Sequence, residues 1–131
     1  MPSPRVSILC GSESDLPVAK RAEDVLRKAG VAFETKVLSA HRDSDDLREY
    51  VRESKVDVFV CLAGLSAALP GAVAALTQRP VIGVPLSAKL GGLDALLAIA
   101  QMPHGVPVAC VGIDAAENGA LLALRILGAK P

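Results

Sequence analysis

A chain of 131 residues has the length of one domain, spanning 1–131, and 51% of it is hydrophobic, enough for a sizeable core. Aromatic residues reduce to Phe33, Tyr50 and Phe59, which excludes base stacking as a way of holding single-stranded nucleic acid and leaves Val, Leu, Ile and Ala to build the interior. The formal net charge is zero, so the chain lacks the electrostatic footprint of a polyanion or anionic-membrane binder.

The elements alternate in chain order. The run 5–10 (RVSILC) predicts a short strand, and 11–15 (GSESD) a turn. Over 16–30, Val18, Ala22, Val25, Leu26 and Ala29 recur at helical spacing, with Gly30 as the stop. The segment 31–38 reads as a strand. Residues 44–54 follow as a helix with a Ser or Asp cap and Leu47, Tyr50 and Val51 on one face. A buried strand at 56–64 runs into glycine, and 69–77 is a short Ala-rich helix with Pro at its start. The pattern closes with a strand over 80–86, a helix over 91–102, a strand over 106–113 and a helix over 115–127. Cys10, Cys61 and Cys110 each sit in or beside an apolar run and are expected as reduced core residues, with no zinc-like spacing among them. No signal-peptide pattern and no apolar stretch of membrane-spanning length is visible, so a cytoplasmic location without membrane contact is expected.

Strands alternating with helices over short connections predict a parallel sheet covered on both faces. The expected fold is α/β: a three-layer sandwich around a flavodoxin-like, doubly wound, five-stranded parallel sheet. Ligands in such sheets bind beyond the carboxyl ends of the strands, where strand order reverses. The loops that matter are therefore 11–15, 39–43, 63–71, 87–92 and 113–119. In the first, Gly11 permits a sharp turn, Ser12 and Ser14 offer hydroxyls, and the amides that open a helix favour an anion. Asp15 reads equally well as a plain helix cap. In the second, His41 can accept and return one proton near neutrality. Arg42 can hold a phosphate through its planar fork of donors; alternatively it is a solvated partner of Asp43 or Asp45. The third loop is made of small residues that let a flat ligand approach the backbone. His104, flanked by Pro103 and Gly105, reads as a bystander.

In this order, GSESD, SAHR, AGLSAALPG, PVIGVPL, GGLDALLAIAQMPHGVPV and ENGALLALRIL resemble the PurE family of purine biosynthesis. The resemblance spans essentially the whole chain, and GSESDL with the AGL loop is similar to the mutase type rather than the animal-type carboxylase. It implies that a carboxylate moves from the exocyclic nitrogen of an aminoimidazole ribonucleotide to ring carbon C4, through enclosed CO2. The partners implied are the small-molecule imidazole ribonucleotide and CO2, with no metal, biotin or nucleoside triphosphate as cofactor. Carried over residue by residue, His41 is the catalytic acid/base, and Ser12, Asp15 and Arg42 bind the ribose phosphate portion. Gly11, Ser14, Ser39, Ala40, Gly64, Leu65, Ala68 and Leu69 complete the substrate pocket.

The sequence departs from the family pattern in three places. Ala68 stands where a histidine is usual in the third loop, Asp43-Ser44 replace Thr-Pro after Arg42, and relatives usually continue past the position of Pro131 into a further helix. The first departure keeps two other readings open: a paralogue acting on a different ribonucleotide ring, and a non-catalytic nucleotide-binding protein. The resemblance also implies a homo-oligomer, an octamer in preference to a tetramer or dimer. The last helix, with Leu121, Leu122, Leu124, Ile126 and Leu127 spread over more than one face, is expected to meet a neighbour.

Overall fold

The computed structural model describes residues 2–131. Five parallel strands, β1 (Val6–Cys10), β2 (Phe33–Val37), β3 (Val58–Ala63), β4 (Val81–Pro85) and β5 (Ala109–Cys110), lie in the order β2-β1-β3-β4-β5. Five helices alternate with them: α1 (Leu16–Lys28), α2 (Ser44–Glu53), α3 (Leu69–Ala74), α4 (Leu93–Ala100) and α5 (Ala116–Leu127). This is the expected flavodoxin-like doubly wound sheet.

The period-two alternation of the strands sorts the core into two layers. Val6, Ile8 and Cys10 of β1, Val58, Val60 and Leu62 of β3, and Ile82 and Val84 of β4 pack against α1 and α5. Leu9, Phe59, Cys61, Ala63 and Val81 face the other way, towards α2, α3 and α4. Two small residues set how closely the layers approach. A Cβ on Gly83 would lie 2.4 Å from Ile99 Cγ2 and 3.3 Å from Pro70 Cβ, so its absence seats α3 and α4 on β4. On the opposite face, a Cβ on Gly119 of α5 would lie 2.8 Å from Val84 Cγ2. Cys10 and Cys61 are buried and Cys110 is half-buried, all as free thiols, and burial pushes the Cys10 thiol up to about 12.

Gly30 ends α1 as expected. At φ 70° it lets its own N–H bond to the Arg27 carbonyl, while the Val31 N–H reaches Leu26 O at 3.1 Å, closing off the helix.

Every predicted element is trimmed at one or both ends, and two are shortened most. The fifth strand shrinks from 106–113 to Ala109–Cys110, because it is an edge strand, pairs with β4 alone, and carries Pro107, which has no N–H to donate. The fourth helix starts at Leu93 rather than 91, because Gly91 and Gly92 both take positive φ (63° and 87°) around a 3-10 turn at Leu90–Gly92. The cap expected on α2 also differs. Asp43 occupies the N-cap position, but its carboxylate turns back into the preceding loop and makes no cap bond.

The last helix is less available to a neighbour than its leucines implied. Leu124 is buried, and Leu121, Leu122 and Leu127 pack against the core, leaving Ile126 as its exposed large apolar side chain. Exposed apolar surface concentrates instead around α4, at Leu90 (79% exposed), Leu93 (55%) and Leu97 (50%).

Gly83→Ala should lower stability by about 1–3 kcal/mol, the usual cost of forcing an extra methyl into a packed core. Its nearest obstacle is the buried, β-branched Ile99, which has little room to yield. The midpoint of urea denaturation measures this, and an unchanged midpoint would mean that α4 is free to shift.

Candidate active site at the carboxyl edge of the sheet

Strand order reverses between β1 and β3, and the loops after β1, β2 and β3 converge there. They enclose a cavity of about 490 Å³, lined by residues 11, 12, 14 and 15 of the first loop, 39–42 of the second, and 63–66 and 69 of the third, with Ala88 from the loop after β4.

The first loop is shaped by reciprocal capping. Ser12 caps the 3-10 turn Glu13–Asp15, and Asp15 Oδ2 accepts the Ser12 N–H at 3.1 Å. Asp15 is thus both a cap and a cavity residue. The amides expected to favour an anion are largely spent inside the loop: the Asp15 N–H goes to Ser12 O at 3.0 Å, and the Ser14 N–H lies 3.4 Å from Ser12 Oγ. One hydroxyl proton remains for a ligand. Ser14 Oγ donates to Ser12 Oγ at 3.1 Å, which leaves the Ser12 proton free to point outward.

The second loop is closed by Ser39 and Asp43. Asp43 Oδ2 accepts the Ser39 N–H at 2.9 Å, the Asp43 N–H returns to Ser39 O at 2.9 Å, and buried Ser39 Oγ accepts the Arg42 N–H at 3.1 Å. His41 stands exposed at the apex of this tight loop. Arg42 does not pair with Asp43 or Asp45. Its Nη2 donates to the Gly11 carbonyl at 3.1 Å, while Asp45 pairs with Arg48. That one bond fixes the guanidinium against the first loop and leaves its other N–H groups for an anion.

Eleven of the twelve anticipated residues line this cavity: Gly11, Ser12, Ser14, Asp15, Ser39, Ala40, His41, Arg42, Gly64, Leu65 and Leu69. Ala68 does not. It lines a neighbouring groove of about 450 Å³ with His41, Ser66, Ala67, Gly71, Ala72, Ala98 and Met102. The reason is local: residue 68 is the N-cap of α3 and its side chain leaves on the α4 side of the loop. His41 borders both spaces. Ser66 and Ala88 also line the cavity, and neither carries a signal of its own in the sequence. Ala88 brings no chemistry to announce it, although it lies in a loop at the marked edge of the sheet. Ser66 adopts φ 48°, which a serine does not advertise in sequence. His104 is exposed in a turn and does not line the cavity. Among the described residues, no group of three or more His, Cys, Asp or Glu is placed to hold a metal ion, and no helix is long and apolar enough to cross a membrane.

Residues 5–131 match the family model described as AIR carboxylase. The chain belongs to the AIR carboxylase family. It is 57% identical over 125 residues to the N5-carboxyaminoimidazole ribonucleotide mutase of Methanocaldococcus jannaschii, covering 95% of this chain and 80% of that protein. It is 56% identical to the protein of that name from Pyrococcus abyssi, covering 97% of this chain and 75% of the relative. Among solved structures, PurE of Treponema denticola superposes with a TM-score of 0.79 at 29% identity, covering 95% of this chain and 80% of the other. The family expected from the loop motifs is therefore the one found.

Burial raises the Asp15 carboxyl above its ordinary 3.8, against the Ser12 and Gly11 amides, which pull it down. A carboxyl that holds its proton more tightly folded than unfolded contributes its full stability below the unfolded pKa and loses it as pH rises through the folded pKa. The stability of the native chain relative to Asp15→Asn should accordingly fall across that window and level off above it. Denaturation curves at steps between roughly pH 3 and pH 6 test this; a constant difference between the two proteins would show that burial does not perturb Asp15.

Proposed function

We propose that this chain is an N5-carboxyaminoimidazole ribonucleotide mutase of purine biosynthesis, with His41 as its proton carrier and Arg42 as its phosphate ligand. The observation that carries the reading is the joint placement of His41 and Arg42 on one five-residue loop at the switch point, beside the two serines of the first loop. The relatives' names supply the reaction.

The cavity's volume falls in the range of small-molecule sites. Arg42, held by Gly11 O, would meet the phosphate together with the Ser12 hydroxyl, whose oxygen Ser14 holds in place. Asp15 would accept from the ribose. Gly64 and the exposed side chain of Leu65 offer a flat apolar wall to the imidazole. His41, as imidazolium, would protonate the carbamate nitrogen, so that the N–C bond breaks and CO2 and the amine form. C4 of the ring then attacks CO2, a C–C bond forms, and the C4 proton returns to His41. One proton circulates, and carboxylate is neither gained nor lost. Ala68 lies over the adjoining groove rather than in the cavity, so the absence of an imidazole there leaves the cavity lining whole; this favours the same ring over a different one.

His41→Asn should lower kcat by about 10²–10⁴-fold while nucleotide binding survives, the range for a positioned acid/base. Arg42→Ala should instead raise KM more than it lowers kcat, since a phosphate contact acts in ground and transition states alike, and lysine should rescue only in part. Assay of carboxylate transfer on the N5-carboxylated nucleotide decides. Tight binding without turnover in the native chain would support the non-catalytic reading instead.

His41 and Arg42 are exposed in a single chain, yet CO2 must be kept from escaping between the two steps. We infer that a neighbouring copy covers the site, in a homo-oligomer for which an octamer is the favoured size, with Leu90, Leu93 and Leu97 as contact residues in place of α5. Light scattering at micromolar concentration should give a multiple of 13.5 kDa. A fully active monomer would overturn the covered-site argument.

A further inference from the structure

We propose that Asp114 is a positioning residue for the nucleotide cavity, acting through Ser87 to hold the loop after β4 against Gly64. The inference rests on the reading of the 490 Å³ cavity as the ribonucleotide site. Asp114 itself touches none of that cavity.

The loop in question, 86–92, contributes Ala88 to the cavity wall. Ala88 meets the third loop at Gly64, where a Cβ would lie 3.0 Å from Ala88 Cβ and 3.5 Å from Leu86 Cβ. The position of Ala88 thus sets how wide the cavity is at Gly64 and Leu65. The Leu86 N–H anchors the start of the loop on Ala63 O at 3.0 Å, and beyond it the backbone bonds are short-range: Ala88 N–H to Leu86 O and Gly92 N–H to Lys89 O. Two left-handed glycines and Leu90 at φ 48° give it little rigidity of its own.

Rigidity is supplied from 27 positions away. Asp114 Oδ1 accepts the Ser87 N–H at 3.0 Å, and its Oδ2 accepts the Ser87 hydroxyl at 2.5 Å. One carboxylate therefore takes both donors of the residue next to Ala88. The far end of the loop is seated on the neighbouring residue, since a Cβ on Gly92 would lie 2.6 Å from Ile113 Cγ2.

Asp114 is fixed in turn. Its N–H donates to Pro85 O at 2.8 Å, and its carbonyl accepts Arg21 Nη2 at 2.8 Å, with Arg21 also bound to Glu117 at 2.7 Å. Its φ of 59° is a conformation that glycine and asparagine adopt at least as readily. The turn alone does not demand an acceptor side chain. The two donors on Ser87 do.

Three variants separate the roles. Asp114→Gly keeps the left-handed turn and removes the carboxylate. Asp114→Asn keeps an acceptor for the Ser87 N–H and offers its amide to the Ser87 oxygen. Ser87→Ala removes one of the two bonds on an exposed loop and keeps the test alive if Asp114→Gly fails to fold. Hydrogen exchange of peptides covering 86–92 should quicken by about tenfold or more in Asp114→Gly, less in Ser87→Ala, and little in Asp114→Asn. KM for the N5-carboxylated ribonucleotide should rise about tenfold in Asp114→Gly with kcat within about twofold of native, and Asp114→Asn should restore most of it.

Quickened exchange with unchanged KM would overturn the proposal, and so would unchanged exchange. If the native chain binds aminoimidazole ribonucleotide without turning it over, the mutase reading fails separately. Calorimetric affinity for that nucleotide then replaces KM as the readout, with the same expected order of variants. If the native chain binds no such nucleotide, the cavity reading and this proposal fall together.

Discussion

Everything in this molecule follows from burying a parallel sheet on both faces. Such a sheet has no solvent side, so β1 and β3 must present apolar side chains in both directions, as Val6, Ile8 and Cys10 against Leu9, and Val58, Val60 and Leu62 against Phe59 and Cys61 show. Each strand must return to its start before the next can pair, and the helix that carries it back is also the cover. Once the faces are occupied, the edges at the strand ends are the places left for chemistry. The amino edge is where helices deliver the chain, while the carboxyl edge is where every loop has just left a rigid strand. Binding groups placed there inherit the precision of the sheet.

The near absence of aromatic side chains sharpens that constraint. Layers made of Val, Leu, Ile and Ala come close together, and glycine at positions 83 and 119 brings helices nearer than any Cβ would allow. The same economy of volume continues into the loops. At the cavity wall a Cβ on Gly64 would lie only 3.0 Å from Ala88 Cβ, so small residues at both positions set the spacing there. The shape of the site is therefore a continuation of the core packing rule, with the polar groups added by the loops after β1 and β2.

How much of this was legible in the sequence depended on whether a feature is local. Helix α1 could be read from its spacing and its glycine stop, because the Schellman bonds at Gly30 and Val31 involve only neighbours in sequence. Strand β5 could not be bounded, because the length of an edge strand is set by what β4 offers it and by the missing N–H of Pro107. The start of α4 was obscured by Gly91 and Gly92, which periodicity alone cannot distinguish from helix. In the site, the residue types and their common edge were visible, through strand-loop-helix order and then through the family motifs. The partner of Arg42 was not: sequence offers Asp43 and Asp45 beside it, whereas folding brings the Gly11 carbonyl from 31 positions away. Residue 68 misled for a similar reason, since one turn at an N-cap decides which of two adjoining spaces its side chain joins.

The fate of the acidic residues explains why a neutral chain can still offer an anion site. Asp43, next in sequence to the His41–Arg42 pair, spends its carboxylate on the Ser39 amide. Asp45 is paired with Arg48, and Asp15 accepts the Ser12 amide. These three acids therefore shape backbone or neutralise another cation, and none is hydrogen-bonded to the Arg42 guanidinium. Had Asp43 turned towards Arg42, the loop would lose its closure and the fork its vacancy at once. The substitution of Asp-Ser for the usual Thr-Pro after Arg42 is thus compatible with an anion site, because in this loop the acid is consumed in holding the turn that presents His41.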